Sequence, residues 1–249
     1  MDPIEAGCRT SSGSTERRLS GPLRGPPPAP QSPPKFIRSC WQPRSLDSAY
    51  RLVDDHPWAL LVNSGEAGPF ATNLPLLLDR SRGAHGVLLG HLARANEHAR
   101  AIFATPTPTL AVFHGPQSYV TASWYPERQM PSTFYYTAVH CYGRVREQTT
   151  TDLERTLGIL NDRMEQPIPD GWRMDEIPHS EITRRLPHIV GFELEIERFE
   201  AKFKLGQDEP LRDALAVAEH LAKSHDPQQL ALAAAIRREN AGRTADPAA

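Results

Sequence analysis

The feature that most limits what this chain can become is a two-residue alternation near its C-terminal third. Ile189-Val-Gly-Phe-Glu-Leu-Glu-Ile-Glu197 alternates apolar and acidic side chains. That is the pattern of a β-strand dry on one face and wet on the other. Shorter apolar runs at 58–63, 70–78, 86–92, 109–114 and 134–145 read as further strands, and Gly115-Pro116 predicts the end of the fourth. The turn-forming segment 64–68 joins the first two as a hairpin. Helical spacing predicts helices at 45–56, 97–104, 152–165, 211–223 and 228–240, with Ser45 and Asn96 as N-caps. Many short strands with few helices between them predict a mainly β (α+β) fold, a barrel carrying peripheral helices.

The 249 residues include 24 prolines, many of them near the N-terminus. Residues 1–34 are rich in Gly, Pro, Ser and Arg, and such a segment buries too little apolar surface to offset its ordering entropy. The expected organisation is a disordered arm at 1–34, a cofactor-binding barrel at 35–210, and a helical segment and tail at 211–249. Net charge is −2, so no global attraction to nucleic acid or to an anionic membrane is expected. The three cysteines are odd in number and form no CxxC, which argues against a disulfide framework or a cysteine-built zinc site. The arginine-bearing N-terminus lacks an apolar core of the kind a secretory signal needs, and no apolar run approaches the ~20 residues that span a bilayer. The default expectation is a cytoplasmic protein.

Three segments concentrate groups that carry chemistry. Leu89-Gly-His-Leu-Ala-Arg-Ala-Asn96 ends a strand and opens a helix. Backbone N–H groups there, with Arg94 and Asn96, suit a phosphate or carboxylate. His91 follows a glycine that permits close approach, and a neutral imidazole there suits a metal, a haem iron or a cofactor edge; the alternative is a core histidine bonded to backbone. Ser118-Tyr-Val-Thr-Ala-Ser-Trp-Tyr125 carries hydroxyls and large rings, either to stack a flat ligand or to plug its own loop. Ala201-Lys-Phe-Lys-Leu-Gly-Gln207 points two lysines to one side if extended, toward an anionic tail or toward solvent. No HExxH motif occurs among the ten histidines, and Glu193, Glu195 and Glu197 share one wet strand face.

Taken in order, these strings resemble the PaiB-type proteins, a family of FMN-binding negative transcriptional regulators. The matching pieces are Pro69-Phe-Ala-Thr-Asn-Leu-Pro75, Leu88-Leu-Gly-His-Leu-Ala-Arg-Ala-Asn96, Phe113-His-Gly-Pro116 and Ser123-Trp-Tyr125. They continue with Tyr136, Ala138-Val-His140, Tyr142-Gly143, Ile189-Val-Gly-Phe192 and Lys202-Phe-Lys-Leu205, so the likeness spans about seven-tenths of the chain. The resemblance implies an FMN-binding split β-barrel, a homodimer with its cofactor between subunits. The chain departs from the family where His is usual and Asn73 stands. It departs again where Pro-Thr-Trp-Asn-Tyr gives way to Ser132-Thr-Phe-Tyr-Tyr136, and where Lys-Leu-Ser-Gln-Asn-Arg gives way to Lys204-Leu-Gly-Gln-Asp-Glu209.

Kept fold residues with altered pocket residues imply a specialised branch. The resemblance extends to the haem-dependent piperazate synthases, which close N5-hydroxy-L-ornithine into L-piperazate by joining its two nitrogens. On that reading haem b is the cofactor and His91 its axial ligand. Trp124, Phe134 and Tyr135 form walls, with Ser123 and Tyr125 beside them. Arg94, Asn96, Lys202, Lys204 and Gln207 hold the anionic edge, and His114, His140 or Tyr135 serves as the catalytic proton carrier with a small amino acid as substrate. The alternatives are an FMN-binding regulator, against which the absent DNA-binding motif and the mild acidity count, and a flavin- or haem-dependent oxidoreductase.

Overall fold

A computed structural model describes residues 36–65, 68–104 and 107–244. The expected arm at 1–34 lies outside the described residues. Helix α1 (Leu46–Asp55) starts where Ser45 accepts a hydrogen bond from the Ser48 amide, and it buries Ala49, Leu52 and Val53. Strands β1 (Trp58–Gly65) and β2 (Gly68–Pro75) form the expected hairpin, with Leu61 opposite Thr72. After β3 (Leu77–Asp79) and β4 (Val87–Ala93) comes helix α2 (Glu97–Ala104), capped by the Asn96 side chain on the His98 amide at 3.0 Å.

The two expectations that needed lengthening concern the long strands. Strand β5 (Thr109–Val120) continues past Gly115-Pro116 instead of ending there. A register shift between His114 and Gln117 absorbs Pro116, which has no N–H to give the ladder. Gly115 makes the crossing possible: a Cβ on it would stand 2.4 Å from the Thr137 hydroxyl and 2.9 Å from Leu52. Strand β6 (Thr133–Glu147) leads to helix α3 (Thr150–Glu165) and the short helix α4 (His179–Arg185). Strand β7 (Ile189–Lys204) runs seven residues beyond its expected end. Its pairing steps from Gly143–Ile196 to Tyr142–Arg198, leaving Glu197 as a bulge residue that shifts the alternation by one. The pattern read at 189–197 therefore breaks there although the strand does not.

The seven strands form one antiparallel sheet in the order β2-β1-β5-β6-β7-β4-β3. Its inner face carries Leu61, Phe113, Val139, Cys141, Phe192, Leu194 and Ile196, all essentially inaccessible to solvent. Helices α1 and α2 cover part of that face. Helices α5 (Leu211–Leu221) and α6 (Pro227–Asn240) add Ala214, Val217, Ala218, Leu221, Leu232 and Ile236 to the same core cluster. The architecture is thus the mainly β split barrel with peripheral helices that the sequence predicts. Outside the core, Glu193, Glu195 and Glu197 face Arg82, Arg146 and Arg144 in a ladder of ion pairs, which accounts for the acidic half of the alternation. No helix of the described residues is long and apolar enough to cross a membrane.

Gly143 sits at the β6–β7 bulge, and a Cβ there would lie 1.9 Å from the Glu195 carbonyl oxygen. Backbone cannot yield as a side chain can. Gly143→Ala is expected to destabilise the fold by about 1–3 kcal/mol, measured by urea unfolding, and an unchanged midpoint would show that the bulge relaxes freely.

Candidate functional site

Because β5, β6 and β7 are in register, their outward residues stand in rows. Tyr119 faces Phe134; Gln117, Tyr136 and Lys204 form the next row; His114, Ala138 and Lys202 the one after; then Val112, His140 and Glu200. Strand β1 continues the face through Leu60 beside Val112 and Val62 beside Leu110. The floor of this face is Ala138, itself buried, between an imidazole and an ammonium group, with aromatic rings along one side. Phe134 and Tyr119 are more than half exposed and their ring centroids lie 5.6 Å apart, edge to face. The aromatic edge of this face is exposed, whereas Leu60, Val62 and Leu110 are half-buried and Val112 is buried.

The two lysines give the floor its charge. Phe203 between them is buried, so both project to the same side. Lys202 Nζ lies 4.5 Å from the Trp41 ring centroid, 5.6 Å from Tyr136 and 5.8 Å from Phe36, and donates to the Phe36 carbonyl at 3.4 Å. Lys204 donates to the Thr133 hydroxyl. Among the described residues neither lysine forms an ion pair with a carboxylate, whereas Arg198 on the same face pairs with Glu200 at 2.8 Å. Two cations with aromatic neighbours and no acid partner suit an anionic ligand. His140 Nδ1 lies 3.4 Å from the Tyr142 hydroxyl at the far side of the floor.

The structure thus gathers five of the residues singled out from sequence: Phe134, His114, His140, Lys202 and Lys204. It adds Tyr136, which shares the outward parity of Phe134, and Trp41, which no local pattern connects to the lysines 160 residues on. The remaining candidates lie elsewhere. His91 is at the opposite end of β7 from Lys202, paired with Gly191, beside which Gln148 and Leu153 pack. Its Nδ1 is buried without a partner, and burial lowers its pKa, which favours the neutral imidazole. The glycine before it admits no ligand, because the space a Gly90 side chain would take is filled by Leu76 and Phe192. Arg94 donates to the carbonyls of Pro187 and Ile189 at 3.1 and 3.0 Å, and Asn96 caps α2. Gln207 bonds the Leu205 amide and the Phe203 carbonyl. Trp124 stacks on His220 at 4.1 Å, and Ser123 is exposed in the adjoining 3-10 turn. His91 and the lysines therefore do not meet around one ligand within a single chain.

Tyr125 and Tyr135 face the interior. Tyr135 is wholly buried and donates a hydrogen bond to the Glu209 carboxylate, itself buried. Burial, followed by the Glu209 charge, pushes the Tyr125 phenol up to about 12, and the same causes raise Tyr135 further. Gly206, at φ +80°, leaves room for this phenol: a Cβ there would stand 2.6 Å from the Tyr135 oxygen. Positions 135, 206 and 209 are three of the departures from the family pattern, and all three touch one another. They form one interior exchange, not three changes to a ligand pocket. The departures on the outer side are Asn73 and Phe134 on the sheet face and Asp208, which reaches Trp41 and Arg38.

Desolvation raises the Glu209 pKa above its ordinary value, outweighing the Tyr135 hydrogen bond that lowers it. A group whose folded pKa is raised favours the fold while protonated and loses that contribution as pH climbs through the folded value. Glu209→Gln keeps an acceptor for Tyr135 and removes the titration. Stability profiles of the two proteins should coincide below the usual carboxylate range and diverge above it, with the variant more stable at neutral pH. A wild-type advantage at neutral pH would contradict the assignment.

A family profile described as "Putative FMN-binding domain" matches residues 35–198. The chain is 27% identical over 192 residues to "Protease synthase and sporulation protein PAI 2" of Bacillus subtilis (strain 168), covering 77% of this chain and 91% of that protein. It is 26% identical over 212 residues to the uncharacterized protein AN0679 of Emericella nidulans, covering 70% and 84%. Among solved structures, the conserved hypothetical protein Rv2991 from Mycobacterium tuberculosis matches with a TM-score of 0.50 at 11% identity, over 68% of this chain and 90% of that one. With its profile, its order of motifs and its antiparallel barrel in agreement, the chain belongs to the PaiB-like family of FMN-binding split-barrel proteins.

Proposed function

We propose that two copies of this chain meet through the outer face of β1, β5, β6 and β7 and hold a planar, anionic prosthetic group between them, FMN in the first instance. The observation that carries this reading is the row His114–Ala138–Lys202, flanked by Tyr136, Phe134 and Lys204. A flat ring needs a floor without side chains and aromatic neighbours, and Ala138, Tyr136 and Phe134 offer both. A phosphate needs cations, and among the described residues Lys202 and Lys204 form no close ion pair with a carboxylate, although Lys204 feels the charge of Glu209. The aliphatic residues Leu60, Val62, Leu110 and Val112 beside the floor suit a self-complementary two-fold contact, which would keep water from the bound ring. Bound FMN supplies reversible electron and hydride transfer. His140, with Tyr142 beside it, is placed to hold or release a proton at the edge of the floor.

The narrower reading is a haem b cofactor and ring closure of N5-hydroxy-L-ornithine to L-piperazate. It rests on the resemblance of the chain to the piperazate synthases. One observation favours it: His114 is an exposed imidazole on the same face, one strand from Ala138 and two from Lys202. On this reading His114 would hold the iron instead of His91, whose surroundings belong to the α3 side of the sheet.

Absorption of the purified protein separates the two. Flavin bands that weaken when Lys202 and Lys204 are both changed to Ala, with FMN affinity falling about tenfold or more, support the first reading. The protein should scatter light as a dimer, and Val62→Arg should yield monomers that bind FMN poorly. A Soret band lost in His114→Ala but kept in His91→Ala, with conversion of N5-hydroxy-L-ornithine, supports the second. A monomer in which the lysine changes leave binding untouched would remove both.

A further inference from the structure

A short strap lies over the lysine pair, and one carboxylate pins it. Residues 36–41 lead into the 3-10 turn Ser39–Trp41. Asp208 accepts from the Trp41 indole N–H at 2.9 Å and from the Arg38 guanidinium at 2.8 Å. Trp41 thereby stands over both ammonium groups, 4.5 Å from Lys202 and 5.7 Å from Lys204, and Lys202 is only 9% exposed. Two side chains of the strap face solvent. Phe36 is 74% exposed, and the Arg38 side chain is half exposed.

We propose that Asp208 is a positioning residue that holds this strap closed over Lys202 and Lys204, so that an anionic group reaches the lysines only when Trp41 lifts. The inference rests on the reading that the lysine pair receives the anionic end of the cofactor. An ammonium ion against three rings and one carbonyl has exchanged most of its water for weaker partners. A phosphate or carboxylate offers stronger, charge-assisted hydrogen bonds, but the indole occupies the approach. Position 208 is also where the chain departs from the Asn usual in the family. An amide oxygen would still accept from the indole, but only a carboxylate draws Arg38 in as an ion pair. The exchange therefore strengthens the hold on the strap without touching the floor of the site.

Lysine acylation by an N-hydroxysuccinimide acetate ester, read peptide by peptide, tests the strap without any cofactor. Relative to the exposed Lys223, Lys202 should react about tenfold more slowly in the wild-type protein, the scale of one cation–π contact with desolvation. Asp208→Ala should recover most of that rate and shift Trp41 emission to the red. Asp208→Asn, which keeps the indole acceptor, should fall between and serves as the second variant should the alanine form fail to fold. Equal reactivity of Lys202 and Lys223 in the wild type, or no change in either variant, would overturn the strap. FMN and inorganic pyrophosphate then read the gate: faster capture by Asp208→Ala than by wild type supports it, and equal rates overturn gating while leaving the lysine site intact. Failure of every protein to capture either anion overturns the lysine-site reading, and the gate with it.

Discussion

Strand β6 pairs with β5 along Thr133–Gly143 and with β7 along Tyr136–Glu147, so its middle is held on both edges, and the rest of the molecule depends on that pairing. A strand fixed on both sides cannot rotate, so its alternation divides the protein in two. Tyr135, Thr137, Val139 and Cys141 go inward and are closed off from water. Phe134, Tyr136, Ala138, His140 and Tyr142 go outward, and the neighbouring strands bring His114, Lys202 and Lys204 alongside them. A slip of one residue would exchange the core for the outer face. The β6–β7 bulge keeps the two halves of β7 in phase with this division. Residues 192, 194 and 196 face inward before it and 203 after it, so Phe192 and Phe203 reach the same core despite their odd spacing.

The departures from the family pattern take on different meanings once placed on this frame. Read along the chain, Tyr135, Gly206 and Glu209 suggest an altered pocket. In space they are a phenol, the room made for it and the acceptor for its proton. Burying a phenol without an acceptor costs about 1–3 kcal/mol, so the tyrosine and the carboxylate need one another. Asp208, one residue earlier, faces the other way and reaches Arg38 and Trp41. Two adjacent acidic residues thus serve opposite sides of the sheet. One completes the core and the other fixes the approach to the lysines.

A similar separation applies to the segment around His91. Its density of Gly, His, Arg and Asn reads as chemistry, yet most of it is architecture. Gly90 admits Leu76 and Phe192, Arg94 ties β4 to the backbone at 187–189, and Asn96 starts α2. Polar residues at a strand-to-helix junction have backbone groups to satisfy before any ligand arrives. That demand is local and accounts for Arg94 and Asn96, but not for His91, whose buried Nδ1 has no partner.

Sequence alone determined the class of the fold, the hairpin, the position of every long helix and the pairing of Lys202 with Lys204 on one side. Each of these follows from periodicity or capping within a few residues, where the physics is local. The full lengths of β5 and β7 were not legible, because Pro116 and Glu197 break the pattern at bulges that only a neighbouring strand can accommodate. Which candidates share a site was not legible either. His114, Ala138 and Lys202 become neighbours through cross-strand register, and Trp41 reaches Lys202 across 160 residues of chain. Register is set by the burial of a whole face at once. No stretch of residues carries that information until the core has closed.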